Sequence, residues 1–236
     1  MIKLFQLPPA WGLANISMPS MKLETWLRIA GLPYEAAPPA QPPPPKGKVP
    51  YIEDAGTVLG DSTLIIEHLK TRYGKDPDAA LSPAEGAVAL AFRRMLKEHF
   101  YWIIVHFRWR NESNWPVYRA LLASILAPGV PAEALHPALE ETRKAILAQL
   151  HGHGMGRHGE SEVSALGCAD VDAIANYLGD KPYFMGAQPT TADATVYAFM
   201  ANLVDVPVES GVKARALGYP NIINYCARMK ERYYPR

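Results

Sequence analysis

The first third of the chain contains short apolar runs and one amphipathic stretch. Residues 2–6 (IKLFQ) mix apolar and polar positions and stop at Pro8-Pro9, a pattern typical of a short strand followed by a loop. The stretch MKLETWLRIAG, residues 21–31, places apolar positions at helical spacing and ends at a glycine, a common residue just beyond a helix. LPYEAA then predicts a second strand.

A proline run follows this second strand. PPAQPPPPKG, residues 38–47, is incompatible with a helix or a central strand, and we expect an extended polyproline II connector. Beyond it, KVPYIEDAGTVLGDS places two apolar runs around Asp54-Ala55-Gly56, which predicts a hairpin. A helix should then begin at Ser62 and end at Gly74. The predicted order β-α-β-loop-β-β-α combines a parallel unit and a hairpin in one small sheet.

From residue 84 onward the apolar pattern is helical throughout. Helical periodicity or length marks segments 84–109, 116–127, 132–151, 161–179, 191–205 and 220–233. The Gly/His-rich HGHGMGRHGE should form a loop between two of these helices. We therefore expect a small domain over residues 1–75, a polar linker over 76–83 and an all-helical domain over 84–236.

Composition narrows the class of protein without identifying it. Of the 236 residues, 49% are apolar and 20% charged, with a net charge of +1, which is typical of a globular protein and gives no sign of a nucleic-acid surface. No long uncharged apolar stretch and no signal peptide are evident, so we expect a cytoplasmic protein that does not bind a membrane. Two distant cysteines and the three histidines of the Gly/His-rich loop do not form a zinc-binding pattern, so we expect no metal.

Several segments resemble the glutathione S-transferase superfamily in their order and spacing. KVPYIED is similar to the place where that family has a cis-proline before its third strand, here Val49-Pro50. GDSTLIIEHL resembles the acidic-Ser pair that begins the next helix, here Asp61-Ser62. QPTTADATVYAFM resembles the capping box of the C-terminal domain, which we interpret as a purely structural helix start.

Four further segments narrow the resemblance. ETWLRIAGLPYE, EHFYWIIVHFRW, FMGAQPTTADATVYA and PNIINYCARMKERYYP resemble the branch that contains metaxins and failed axon connections. The resemblance implies an α+β thioredoxin-like N-terminal domain followed by an all-α helical bundle, assembled as a homodimer. It also implies transfer of glutathione to a small hydrophobic electrophile. The alternative is a binding or protein-assembly module without catalytic activity, because fold does not fix function.

The resemblance places glutathione in the N-terminal domain. Lys48, Val49 and Pro50 would pair with the tripeptide backbone in the manner of an added strand. Asp61 and Ser62 would hold the γ-glutamyl end, because free N–H groups and the helix dipole favour a carboxylate there. Ser62 could also simply cap the helix.

Two serines are the candidates for the residue that activates sulfur. A free thiol has a pKa of about 8.5 and is mostly protonated at neutral pH, so a hydroxyl donor at a helix N-terminus would favour the thiolate. Ser17 and Ser20 are the candidates, and either could instead cap the helix. A tyrosine or cysteine mechanism is disfavoured, because the first Tyr is Tyr34 and the first Cys is Cys168.

An aromatic-rich helix is the candidate wall for the second substrate. In EHFYWIIVHFRWRNESNW, helical spacing predicts Trp102, His106 and Trp109 on one face, and in the family this helix lines the electrophile pocket. Trp11, with Asn15, could border the thiol from the long loop before the first helix. The alternative is that these rings pack in the core between the two domains.

Overall fold

A four-stranded sheet occupies the first part of the computed structural model, which describes residues 1–235. Its strands are β1 (Ile2–Phe5), β2 (Tyr34–Ala37), β3 (Tyr51–Asp54) and β4 (Thr57–Gly60), in the order β2-β1-β3-β4. Helix α1 (Met18–Ile29) connects the parallel strands β1 and β2, whereas β3 runs antiparallel to both of its neighbours.

The register of the sheet brings three loops to one edge. Phe5 at the end of β1 pairs with Tyr51 at the start of β3, and Tyr51 pairs with Gly60 at the end of β4. The chain therefore leaves β1, enters β3 and leaves β4 at the same edge. The predicted serines, the segment before β3 and the acidic-Ser pair all lie on these three connections.

Local signals explain the hairpin and the helix that follows it. Ala55 and Gly56 have φ angles of 48° and 82°, as the favoured two-residue hairpin turns require. Helix α2 (Ser62–Tyr73) ends at Gly74, whose φ of 62° is the left-handed conformation of a helix C-terminus. These predicted boundaries are confirmed.

The remainder of the described chain is helical. One continuous helical run contains α3 (Pro83–Arg94), a π-helical segment (Met95–Phe100), α4 (Tyr101–Val105) and a second π-helical segment (His106–Arg110). It is followed by α5 (Trp115–Leu126), α6 (Ala132–His153), a 3₁₀ turn (Met155–Arg157), α7 (Glu160–Leu178), α8 (Thr191–Val204), α9 (Gly211–Leu217) and α10 (Pro220–Tyr233). This arrangement confirms the predicted fold class. None of these helices, within residues 1–235, has the length and apolar character needed to cross a bilayer.

Three local predictions differ from the structure. The proline-rich connector is not extended: Gly47 N–H donates to Pro43 O at 2.8 Å, and the segment folds into a turn. The Gly/His-rich segment is partly helical, since α6 continues to His153 and the 3₁₀ turn follows. Helix α9 was not predicted, because its seven residues are too few to establish a helical period.

Helix α8 forms the centre of the core and packs against α1, and all of its residues are buried. Thr190 N–H donates to the Asp193 carboxylate at 2.8 Å, and Phe184 N–H and Tyr225 O–H donate to its other oxygen at 2.7 and 3.0 Å. The capping box is confirmed. Asp78 of the polar segment between the sheet and the helical run accepts from Thr191 N–H at 2.7 Å and pairs with Lys70 of α2. This carboxylate therefore joins α2 to the core helix.

Candidate functional site

The two candidate serines occupy different environments at the start of α1. Ser17 is the N-cap residue and is partly exposed, but its side chain makes no capping hydrogen bond. Ser20 is 0% exposed and donates its hydroxyl proton to Ser17 Oγ at 3.1 Å. Ser17 keeps its own proton available for a ligand, whereas Ser20 supports Ser17 from inside the protein.

The backbone around Ser17 offers further donors. Its carbonyl accepts the first intrahelical bond from Met21 N–H at 2.9 Å. Met18 N–H and Ser20 N–H have no hydrogen-bond partner among residues 1–235, and Pro19 has no N–H. Free N–H groups and the helix dipole favour negative charge at this point. The start of α1 is therefore suited to a thiolate.

The segment before β3 presents an unpaired backbone. The Val49-Pro50 bond is cis, as the resemblance implied. Pro50 is buried, Val49 is partly exposed and Lys48 is exposed. Within residues 1–235 no hydrogen bond uses the N–H or C=O of Val49. These groups are free to pair with an extended peptide, which is the arrangement a strand-like ligand needs.

Asp61, rather than Ser62, caps α2. Asp61 Oδ1 accepts from Thr63 N–H at 2.8 Å and from Leu64 N–H at 3.3 Å, and its backbone has a φ of 82°. Lys97 Nζ lies 3.1 Å from Asp61 Oδ2. Burial alone would raise the pKa of this carboxyl, but Thr63 N–H and the Lys97 ammonium bring it below its usual value. Ser62 is buried, and its hydroxyl forms no hydrogen bond within residues 1–235.

A buried lysine that the sequence did not reveal lies beside this helix start. Lys22 of α1 is 3% exposed, and its Nζ donates to Thr63 Oγ1 at 2.9 Å. Lys97 Nζ contacts the same oxygen at 3.4 Å. Burial, together with repulsion from Arg93 and Lys97, lowers the pKa of Lys22 to about 7. The start of α2 thus carries positive charge, although the N–H groups of Thr63 and Leu64 are already bound by Asp61.

The amphipathic pattern could not identify Lys22 as buried. A lysine in a helical period normally marks a solvent face. Helix α1, however, lies between the sheet and α8, and an unbroken run of its residues, Ser20–Leu27, is buried. Because α1 is covered on both sides, few of its positions can face solvent. That shortage is the signal that could have identified Lys22 as buried.

The aromatic residues form two groups rather than one wall. Trp11 and Trp109 both pack on Tyr118, with ring centroids 6.1 and 5.2 Å apart, and Trp109 also stacks on Trp115. Trp102 instead stacks on His153 of α6 at 4.7 Å. The predicted shared face of Trp102, His106 and Trp109 assumed regular α-helical spacing, and the two π-helical segments alter that spacing.

His106 is an interior residue rather than part of an open wall. It is 2% exposed, and its ring packs edge-on against Phe107. Burial, with the nearby Arg110 charge, lowers its pKa, so the ring is neutral at neutral pH. Asn15 is likewise 0% exposed and borders Ser17 from the interior. The role of Trp11, Trp102, His106 and Trp109 in binding a second substrate stays a prediction.

Among residues 1–235, no cluster of three or more His, Cys, Asp or Glu side chains is arranged to hold a metal ion. The groups that converge at the sheet edge are a free hydroxyl, free backbone N–H groups, an unpaired strand-like backbone and an acidic-Ser pair with two lysines. Together they form one candidate site on the thioredoxin-like domain.

Comparison with known proteins identifies the family. Residues 19–115 match the model for the glutathione S-transferase N-terminal domain, and residues 167–229 match that for its C-terminal domain. The chain is 34% identical over 239 residues to the isoprene-epoxide–glutathione S-transferase of Rhodococcus sp. (strain AD45), which covers 99% of each chain. The chain belongs to the glutathione S-transferase family.

Other relatives show the branch within this family. Failed axon connections of Drosophila melanogaster is 30% identical over 99% of this chain, which spans 58% of that protein. Metaxin-1 of Mus musculus is 27% identical over 100% of this chain and 76% of its own.

Solved structures support the fold. A glutathione S-transferase III in its apo form has a TM-score of 0.61 at 18% identity, covering 97% of this chain and 91% of its own. The beta-etherase LigF from Sphingobium sp. strain SYK-6 has a TM-score of 0.63 at 18% identity, covering 97% and 94%.

Proposed function

We propose that this protein is a glutathione transferase of the serine type, which joins the glutathione sulfur to a small hydrophobic epoxide. The observation that carries the proposal is the partly exposed Ser17 hydroxyl, which receives a hydrogen bond from buried Ser20 and keeps its own proton free. The proposed electrophile class follows the name of the Rhodococcus relative.

The tripeptide would lie along the sheet edge that joins the three loops. The free N–H and C=O of Val49 would pair with the peptide backbone of glutathione. The carboxylate of the γ-glutamyl residue would meet the Ser62 hydroxyl and the N-terminus of α2. Lys22 and Lys97, which contact Thr63 and Asp61 at this helix start, would add positive charge beside that carboxylate. Asp61 would face the γ-glutamyl amino group.

Opening an epoxide with glutathione requires a thiolate as the nucleophile and a proton for the alkoxide that forms. A hydrogen bond from Ser17 to sulfur, with the N-terminus of α1, would lower the pKa of the glutathione thiol. The thiolate then attacks an epoxide carbon. The S–C bond forms as the C–O bond breaks, and the alkoxide takes a proton from water. The Trp11, Tyr118 and Trp109 rings would provide the apolar surface for the epoxide.

Calorimetric titration with glutathione, with the double variant Asp61→Ala/Ser62→Ala alongside, tests the binding half of the proposal. Saturable binding that the double variant loses is the expected result. No binding to the wild-type protein at several millimolar glutathione would rule out the transferase function. It would then favour the alternative, a protein-binding module on the same fold.

Steady-state kinetics with a small epoxide test the role of Ser17. Removing a single preorganised donor costs roughly 10²–10³ in kcat, and we expect Ser17→Ala to approach the lower figure with little change in KM for glutathione. Ser20→Ala is the matched control and should retain most of the activity, because Ser20 reaches the ligand only through Ser17. Equal losses in the two variants would remove the distinction between them.

One observation favours the alternative of a module without catalytic activity. The Asp61 carboxylate is already engaged by the start of α2 and by Lys97, so a ligand amino group would have to share it. Relatives in the same branch are the metaxins and failed axon connections. We further propose a cytoplasmic homodimer for either function, and light scattering of the purified protein would measure the oligomeric state.

A further inference from the structure

A buried arginine of the helical domain contacts the loop that precedes Ser17. Arg108 is 3% exposed and lies in the second π-helical segment. Its Nη1 donates to Ile16 O at 2.7 Å, and its Nη2 donates to Asn202 O and Asn202 Oδ1, both at 2.9 Å. Burial lowers its pKa, yet a guanidinium remains charged in proteins. The Arg108 charge is therefore stabilised by oxygen atoms of Ile16, in the loop before Ser17, and of Asn202, in α8.

Asn202 extends this contact to the neighbouring residue of the loop. Its Nδ2 donates to Asn15 O at 3.1 Å and to Ala198 O at 3.0 Å. The two residues directly before Ser17 thus have their carbonyl oxygens held by side chains of the helical domain. Both contacts are buried, where competition from water is weak.

Asn15 carries the same network to Ser17. Its Oδ1 accepts from Ser17 N–H at 2.9 Å, and its Nδ2 donates to Leu7 O at 2.6 Å, near the end of β1. The loop between β1 and α1 is therefore fixed at its beginning, at its end and to the helical domain. The backbone orientation of Ser17, and with it the direction of its hydroxyl, depends on these bonds.

We propose that Arg108 and Asn202 are positioning residues for Ser17, acting through the carbonyl groups of Ile16 and Asn15. This inference rests on the proposed transferase function. Residues of the helical domain would then set the ionisation of the glutathione thiol, although they contact neither the tripeptide nor the electrophile. A purely structural role would instead affect stability without changing the bound thiol.

Asn202→Asp is the sharpest variant for the test. It keeps the volume and the acceptor for Arg108, removes the donors to Asn15 O and Ala198 O, and adds a carboxyl that the Arg108 charge can neutralise. The matched control is Asn114→Asp. Asn114 is 5% exposed and its Nδ2 donates to Phe107 O at 3.1 Å and Glu209 O at 2.8 Å, without touching the loop before Ser17. Both variants lose buried donors of the same kind and gain a carboxyl at a buried position.

The readout is the pKa of the glutathione thiol in the complex, followed by the ultraviolet absorbance of the thiolate across pH, with kcat measured on the same samples. We expect Asn202→Asp to raise this pKa and to lower kcat by about tenfold, since small misplacements of reacting groups are costly. Affinity for S-methylglutathione, which has no thiol proton, should stay within about twofold. Asn114→Asp should match the wild type in all three measurements.

Arg108→Lys provides a second test with the charge retained. One ammonium group cannot reproduce the spread of the guanidinium between Ile16 and Asn202, so we expect a change in the same direction as for Asn202→Asp. If Arg108→Lys does not fold, Asn15→Ala replaces it, because that variant removes the acceptor for Ser17 N–H and the donor to Leu7 O without adding a charge.

The outcomes separate this inference from the proposed function. An unchanged thiol pKa and kcat in Asn202→Asp, or an equal shift in Asn114→Asp, would overturn the positioning role while leaving the transferase function intact. A wild-type protein that binds no glutathione would overturn the proposed function, and the positioning role with it.

Discussion

Two buried cations lie near the beginning of helix α1, and they differ in their hydrogen-bond partners. Lys22 and Arg108 are each 3% exposed. The Lys22 ammonium donates to one neutral hydroxyl, that of Thr63. The charges of Arg93, Lys97 and Arg94 repel it, whereas Asp61 attracts it. The Arg108 guanidinium instead donates to three oxygens of Ile16 and Asn202. The two side chains are equally buried, but Arg108 replaces its lost water contacts with more hydrogen bonds than Lys22 does.

The difference in hydrogen-bond partners suggests a different role for each cation. An incompletely compensated charge is costly to the fold and is available to an incoming anion. A charge whose two terminal nitrogens donate to oxygens, as in Arg108, contributes to the geometry of the structure around it, even though its Nε has no partner within residues 1–235. We therefore propose that Lys22 takes part in ligand binding and that Arg108 positions the loop before Ser17, and the following predictions test that contrast.

The largest expected effect is on stability, from Arg108→Met. The substitution leaves the Ile16 and Asn202 oxygens buried without a donor, and each unsatisfied group costs about 1–3 kcal/mol. We expect the free energy of unfolding, measured by urea denaturation, to fall by about 2–4 kcal/mol. Lys22→Met is the comparison variant and should show no such loss. Similar losses in both variants would contradict the contrast.

The second effect is on ligand affinity. Lys22→Gln should weaken S-methylglutathione binding by about tenfold near pH 6, where the wild-type ammonium is charged. Because the pKa of Lys22 is lowered to about 7, wild-type affinity should decline as the pH rises above that value, whereas the variant should show little change. Calorimetry between about pH 6 and 8.5 measures both. Parallel pH profiles would show that Lys22 does not contact the ligand.

The third effect is the pH dependence of stability. Lys22 has a lower pKa in the folded protein than the 10.5 of a free lysine, so the unfolded chain binds more protons between about pH 7 and 10.5. The wild type should therefore gain stability as the pH rises through this window. Lys22→Met lacks that gain and should exceed the wild type in stability at pH 7 and below. The difference should disappear near the upper end of the window.

The smallest effect belongs to the partly exposed Asp61–Lys97 pair. The two side chains are 23% and 28% exposed, and ion pairs of this kind are worth about 0.2–1 kcal/mol. Lys97→Gln should lower the free energy of unfolding by an amount in this range, and the loss should shrink in high salt. Thermal unfolding at low and high ionic strength provides the measurement. A salt-independent loss would indicate that Lys97 acts through packing.

Much of the fold could be predicted because its signals are local. Gly56 in the hairpin, Gly74 at the end of α2 and the Thr190–Asp193 capping box each specify a backbone conformation within a few residues. The short α9 could not be predicted, since seven residues are too few for a helical period.

The site was less predictable because it depends on contacts between distant segments. The sequence predicted both Ser17 and Ser20 as candidates and gave no reason to prefer one. In the structure Ser20 is buried and Ser17 is partly exposed, because the rest of the fold covers only Ser20. Asp61 replaces Ser62 as the cap because its carboxylate reaches the N–H groups of the first turn. Arg108 and Asn202 are separated by 94 residues, so no local pattern could join them.

The hydrogen bonds that fix the loop before Ser17 leave most of its side chains free to differ among relatives. Arg108 and Asn202 contact the carbonyl oxygens of Ile16 and Asn15, and every amino acid carries such an oxygen. The side chains of the earlier loop residues, including Trp11, are therefore not constrained by these bonds. Under the proposed transferase function, this part of the protein could change its electrophile preference by substitution while the Ser17 hydroxyl stays in place.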